Sequence, residues 1–404
     1  MLLSIALILL VGMALGRLCR GLKLPALLGM LITGILLGPY GFIILDDSIL
    51  GISAEIRKIA LVIILTRAGL GLDLSGLKKI GRPAALMCFL PATCELLGMT
   101  IIGHCLLGLS ILESALLGAV VAAVSPAVVV PRMVKLMDEQ YGTKQGIPQL
   151  ILAGASVDDV YVIVLFSTFT GMLQGNGVSA LSFINIPVSI ALGILIGLVL
   201  GWGLVLFFRK SGLRDTAKVL VMLCLSLLLV VAEDSLTTAI TFSALIAIMF
   251  SGIGVRQKNE ALAGRLSAKY GKLWVAAEVF LFVLVGASVN IGYLTHVGVK
   301  AVIAIFLALV FRMVGVCLCL MRTHFTKLER LFIMLAYTPK ATVQAAIGGI
   351  PLALGFACGD TVLTVAVLAI VITAPLGAFA IDLTYRKWLS CDRTVAASEA
   401  GAVS

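Results

Sequence analysis

Charge is scarce in this chain. Of its 404 residues only 12% are Asp, Glu, Lys or Arg, whereas 61% are hydrophobic, and mean hydropathy is +1.17. A water-soluble fold of this length cannot cover so much apolar surface with polar groups, so that class is excluded. Cysteine is present in odd number, nine, scattered through apolar runs without a CxxC pair or a Cys/His cluster. Neither a disulfide framework nor a metal centre is expected, and no cofactor is implied. No phosphate-binding glycine loop of the G-x-x-x-x-G-K-S/T type occurs, which removes direct drive by ATP. The first apolar run, Leu2 to Leu15, lacks a basic leader and a small-residue cleavage site, so it reads as a retained helix.

What the chain does have is long apolar runs. Thirteen are of a length suited to helical spans, at roughly 1–16, 24–43, 56–73, 83–107, 113–135, 147–172, 181–208, 218–232, 238–255, 271–289, 297–320, 328–356 and 361–383. The expectation is therefore an all-α polytopic membrane protein forming a single transmembrane domain over 1–404. The connections sort by charge. One alternate set carries Arg17, Arg20, Lys23, Lys78, Lys79, Arg82, Arg132, Lys135, Lys144 and their later counterparts. The other carries Asp46, Asp47, Glu113, Glu233, Asp234 and Asp360, with only Arg57, Lys58 and Lys300 as bases. The positive-inside rule then puts the N-terminus outside and the C-terminus in the cytoplasm of the cell membrane. The net charge of +10 is largely this topology signal rather than a nucleic-acid surface. Residues 392–404 read as a disordered tail.

One polar pair stands against this background. Asp158 and Asp159 lie midway along the run 147–172. An ionised carboxylate at the bilayer centre costs roughly 2.5–3.5 kcal/mol on insertion scales. Two neighbouring ones also repel each other, so such a pair points to binding of a cation, a proton, or each in turn. Adjacent helical residues point about 100° apart, so one partner cannot easily serve both, and one aspartate is expected to face a cavity.

Two spans are interrupted alike. The fifth contains Ser125, Pro126 and Pro131; the twelfth contains Tyr337-Thr338-Pro339-Lys340 followed by Gln344 and Gly348-Gly349. Proline removes a backbone donor and clashes with the preceding turn, so both spans are expected to kink or unwind near mid-depth. They hold matching places if spans 1–6 (about 1–172) and 8–13 (about 218–383) are two inverted six-helix repeats, with span 7 as linker. Paired broken helices in inverted repeats point to a midplane transport site.

Glu95, Arg312 and Lys340 fall near the middle of their spans, at the depth of Ser125 and the aspartates. Arg312 and Glu95 read as a supporting ion pair, or Arg312 as a counter-charge near Asp158. Lys340, with Thr338, Pro126, Pro131 and Pro339, reads as stabilising the broken helices, the ammonium meeting their carbonyl ends. Asp159, Asp158, the Ser125 hydroxyl and freed helix carbonyls supply oxygen, the ligand that small hard cations prefer. If a cation and a proton compete there and the site faces one side at a time, competition becomes exchange. An intramembrane aspartyl protease needs two carboxylates brought together from different helices, which these neighbours do not provide. A sodium-coupled organic-anion symporter would not need Asp158, Asp159, Glu95 and Arg312 together.

The stretches AVSPAVVVPRM (123–133), KQGIPQLILAGASVDDVYVIVLFSTF (144–169) and YTPKATVQAAIGG (337–349) resemble the monovalent cation/proton antiporters, most closely the NHA-type sodium/proton antiporters. The resemblance implies an elevator fold with two crossing broken helices. It also implies a homodimer whose protomers each have a dimerisation domain and a six-helix core that moves past it. It makes Asp159 the carboxylate shared by Na+ (or Li+) and H+, with Asp158 beside it as the first member of the Asp-Asp motif. Arg312 falls where electrogenic relatives carry lysine, and Glu95 matches the acid that electroneutral relatives pair with arginine. Ser125 stands where many relatives have an acidic residue before the proline. The Asp-Asp motif favours two protons per cation and the Glu95–Arg312 pair favours one; the balance leans to one-for-one. K+ in place of Na+ stays open.

Overall fold

Without water in the hydrocarbon core, every backbone polar group must bond within its own segment, so apolar runs of this length become helices. The computed structural model describes residues 1–72, 81–174, 180–235 and 242–391. Among them every regular element is a helix, and the only β pairing is an isolated bridge between Tyr141 and Cys391. Over its described residues each of the thirteen runs is occupied by one or two helices, except the twelfth, which holds three. Nine of the described helices are long and apolar enough to cross a membrane, and Ala26–Leu37 and Thr342–Ala353 are shorter apolar pieces. The tail at 392–404, Asp73, Lys78 and Lys79 lie outside the described residues.

Boundaries depart from the sequence reading where local chemistry intervenes. The tenth run begins earlier than expected, as Glu260–Ala287, because the Asn259 side chain accepts from the Leu262 N–H and starts the helix in polar sequence. The fourth run is two pieces, Arg82–Met87 and Leu90–Leu107, the second opening on Pro91. Proline at a helix start costs no backbone bond. Pro126 behaves likewise: it begins the helix Pro126–Asp138 rather than kinking a continuous one, and Pro131 lies inside that helix.

The two interrupted spans share a feature that charge counting hid. Ser110 and Glu113 form a capping box ahead of Ile111–Ala122, and Thr326 and Glu329 form another ahead of Lys327–Ala336. In each box the hydroxyl accepts the third residue's N–H and the glutamate accepts the cap's own N–H, satisfying two otherwise orphaned donors. Glu113, expected from the sequence to be a topology charge, is a helix cap.

The chain divides into two compact units, each drawn from both halves of the sequence. The first comprises 1–15, 30–72 and 163–288; the second comprises 16–29, 73–162 and 289–404. In the first, helix Ser53–Gly71 packs on Glu260–Ala287 and on Ala244–Lys258, which also packs on Ala180–Lys210. Close approach of backbones is the rule there. A Cβ on Gly286 would meet the Gly34 Cα at 3.2 Å, and one on Gly252 would meet the Leu70 nitrogen at 2.7 Å. Small residues at such crossings let membrane helices gain packing that lipid cannot supply.

In the second unit, Leu90–Leu107 packs on Ile291–Cys319 and Ile111–Ala122, while Gly359–Trp388 packs on Ile291–Cys319 and Lys327–Ala336. Its apolar core includes Met87, Met133, Ile151, Phe332, Ile333, Tyr337 and Tyr385. The last helix is stitched to the turn before Ile147–Leu173. The Gly142 N–H donates to the Ser390 carbonyl at 2.9 Å, Gln145 donates to Ser390 Oγ at 3.1 Å, and Tyr385 donates to Glu139 at 2.8 Å. That phenolic hydrogen bond, aided by Lys135 and Arg386, holds the Glu139 carboxyl below its ordinary range.

Candidate ion-binding site

Every sequence-derived candidate lies in the second unit. The first break leaves Ala123 and Ser125 extended, with φ/ψ of −71°/141° and −87°/112°, between Ile111–Ala122 and Pro126–Asp138. The second runs from Tyr337 to Ala341, between Lys327–Ala336 and Thr342–Ile347. The breaks are joined directly: the Ser125 N–H donates to the Pro339 carbonyl at 2.8 Å. In the second break Thr338 Oγ1 donates to the Leu335 carbonyl at 2.8 Å, and the Lys340 N–H donates to Thr373 Oγ1 at 2.8 Å.

Four buried charges form one chain of ion pairs. The Lys340 ammonium lies 2.5 Å from Glu95 Oε2, and Arg312 Nη1 lies 2.7 Å from the same oxygen. Arg312 Nη2 reaches Asp158 Oδ2 at 2.9 Å. Glu95, Asp158, Arg312 and Lys340 are each at most 1% exposed. Charges this deep persist only when paired and hydrogen-bonded. The two roles considered for Arg312, partner of Glu95 or counter-charge for Asp158, are thus filled together. Its fork also donates through Nε to the Tyr337 carbonyl at 2.5 Å and through Nη1 to the Ala122 carbonyl. A lysine, with its single compact ammonium, could not reach these partners in one plane.

The carbonyl ends are met differently from expectation. The ammonium of Lys340 goes to Glu95 rather than to a helix terminus. The last carbonyls of Ile111–Ala122, orphaned by the break, are taken by Arg312 at Ala122 and by Gln344 Nε2 at Ala123 (2.9 Å) and Val121 (3.4 Å). The carbonyls of Val121, Ala122 and Ala123 are therefore already engaged.

Asp158 Oδ2 accepts from the Val124 N–H at 2.9 Å as well as from Arg312, whereas its Oδ1 is buried without a partner. Asp159 is only half-buried, yet its Oδ1 is also enclosed without a partner. Ser125 Oγ is in the same state. The adjacent aspartates thus differ as helical geometry requires: one is tied into the ion-pair chain and the other is not. The sequence reading places Gln344 in the second break without giving it a role, since it carries no charge to mark it, and does not contain the Lys340–Glu95 pair, whose members are 245 residues apart. Among the described residues no group of three or more His, Cys, Asp and Glu side chains is placed to hold a metal.

A family model described as sodium/hydrogen exchanger, transmembrane, matches residues 5–386. The chain belongs to the sodium/hydrogen exchanger family. Sodium/hydrogen exchanger 9B2 of Xenopus tropicalis is 34% identical over 96% of this chain and 75% of its own length. Human sodium/hydrogen exchanger 9B2 is 33% identical over 89% of this chain and 69% of its own, and human 9B1 is 33% identical over 91% and 73%. The fold is similar to that of the sodium proton antiporter MjNhaP1 from Methanocaldococcus jannaschii at pH 8, with a TM-score of 0.83 and 20% identity over 95% of this chain and 97% of that one. Membership of this exchanger family makes the chain a multi-pass membrane transporter and not an enzyme, so the aspartyl-protease alternative falls away.

Proposed function

We propose that this exchanger moves Na+ (or Li+) against H+ by alternating access, the two competing for Asp159 with help from Asp158 and Ser125. The observation that carries this reading is the charge balance of the site. Lys340 and Arg312 contribute two positive charges, and Glu95 and Asp158 two negative ones, so the buried chain is neutral as a set. Asp159 stands outside it with an unpartnered oxygen. A lone carboxylate is neutralised equally well by one cation or one proton, which is the condition for competition at a single group. The same balance favours one-for-one, electroneutral exchange, since Arg312 keeps its charge at any working pH.

The remaining parts of the reading follow the resemblance and the charge pattern. The second unit is the ion-carrying core and slides as an elevator, and the first unit is the dimerisation domain of a homodimer. The two halves, about 1–172 and 218–383, are inverted repeats joined by span 7. The basic connections face the cytoplasm of the cell membrane, leaving the N-terminus outside.

The test uses purified protein in liposomes with an entrapped pH-sensitive dye. Addition of Na+ or Li+ is expected to move protons in wild type and not in Asp159→Asn. Proton movement surviving in Asp159→Asn would end the assignment of that residue. A rate that depends on imposed membrane potential would replace one-for-one exchange with two protons per cation.

A further inference from the structure

The neutral side chain best placed to shape this site is Gln344, which is fully buried. Its amide nitrogen spends its donors on the carbonyls of Ala123 and Val121, at 2.9 and 3.4 Å. Arg312 takes the carbonyl between them, that of Ala122. The next two residues are pinned through their N–H groups, Val124 to Asp158 Oδ2 and Ser125 to the Pro339 carbonyl. Residues 121–125 are therefore held at every position, and Gln344 provides the two outermost of the three carbonyl contacts.

The other end of the same amide has nothing. Gln344 Oε1 is buried without a partner, as are Ser125 Oγ, Asp158 Oδ1 and Asp159 Oδ1. A buried acceptor left unpaired is costly, and in a native structure it calls for an ion, a water or a functional reason. Gln344 and Asp158 both bond the extended stretch, one at Ala123 and the other at Val124, two residues and one residue from Ser125. An oxygen without a donor, on a side chain that clamps the backbone next to the residue bonded by Asp158, has the chemistry of a cation ligand.

Resting on the reading of the site as an Na+/H+ exchange centre, we propose that Gln344 determines which cation is taken. Its Nε2 withholds the carbonyls of Val121 and Ala123 from the ion, and its Oε1 supplies one neutral oxygen in their place. Coordination by a side-chain oxygen in place of fixed main-chain ones alters ligand number and site rigidity, the two properties that discriminate between hard cations of different size.

The experiment compares wild type with Gln344→Met, which keeps the length but loses donor and hard acceptor, and Gln344→Glu, which keeps an oxygen but loses the donor. The KM for Na+ and for Li+ is measured in liposomes, together with the rise in melting temperature that each ion gives the detergent-purified protein. Gln344→Met is expected to change the Na+/Li+ KM ratio by about threefold or more, with a smaller change in maximal rate. Its two ion-induced melting shifts are expected to diverge in the same sense. An unchanged ratio with unchanged ion-induced shifts, beside a lower basal melting temperature, would reduce Gln344 to a structural clamp and overturn the proposal. Should Gln344→Met fail to fold, Gln344→Glu decides by the same ratio, since it frees the two carbonyls and replaces the neutral oxygen by a carboxyl, both of which must alter selectivity if the proposal holds. Asp159→Asn, run alongside, separates failures: exchange persisting there sinks the site assignment, whatever Gln344 does.

Discussion

The two units bury polarity in different ways. Among the described residues, the first buries one charged side chain, Arg57, and otherwise serines and threonines; the second buries Glu95, Asp158, Arg312, Glu329 and Lys340. The first brings backbones together through glycine, as at Gly34 against Gly286 and Gly69 against Gly252. Close packing of this kind gives a body with few alternative arrangements. The second ties its helices with charges that are stable only as a balanced set, so adding or removing one proton or cation matters. The second unit is held by charge balance and the first by shape.

The comparison can be broken first at its most consequential charge. Arg312→Ala removes the cation paired with Asp158 and one of the two on Glu95, and is expected to destabilise the protein by about 3–5 kcal/mol, the cost of breaking a buried pair from one side. Loss of exchange should accompany a lower melting temperature, and a variant as stable as wild type would show that the ion-pair chain does not hold the second unit together. Gly286→Val is the counterpart in the first unit. Overpacking there is expected to cost about 1–3 kcal/mol, while the Na+/Li+ KM ratio of the surviving protein stays at the wild-type value; an altered ratio would mean the first unit shapes the ion site.

Asp158→Asn should be milder than Asp159→Asn, slowing exchange without abolishing it. The amide keeps an oxygen for the Val124 N–H and Arg312, though it loses the charge. Equal loss in the two variants would remove the division of labour between neighbours. A Glu95→Ala/Arg312→Ala cycle should show non-additive stability costs, because Arg312 Nη1 pairs directly with Glu95 Oε2.

Glu139→Gln should have the smallest effect. Its carboxyl titrates below the ordinary range because Tyr385 donates to it, with Lys135 and Arg386 adding to this. A lowered folded value means the contribution is fully present above the unfolded value and is lost as pH falls through the folded one. Melting curves of wild type and Glu139→Gln should therefore keep a constant separation near neutrality and converge only in acid. A transport profile that shifted near neutral pH in this variant would contradict the assignment.

Much of this was legible in the residues. The apolar runs announce helices because hydrocarbon permits little else, and Asp158 and Asp159 announce themselves by the cost of placing them there. The breaks at Ser125-Pro126 and Pro339-Lys340 were visible because proline cannot continue a hydrogen-bonded turn. Other features carry no local mark. Arg312 meets Glu95 across 217 residues and Asp158 across 154, separations set by tertiary packing alone. Gln344 costs little as a neutral amide, so its place in the second break gives no hint of a role at the site. Lys340 was matched to helix carbonyls by a dipole argument that lost to a nearer full charge on Glu95.

The stitching of the last helix has a practical side. Ser390 and Cys391 hold the turn at Tyr141 and Gly142, a few residues ahead of the helix that carries both aspartates. Load applied at that end of the chain is delivered to the ion-bearing helix through two short bonds. A fluorescent protein fused directly after Cys391 would act as a lever on transport, and a change in rate with linker length would measure how stiffly that lever is coupled.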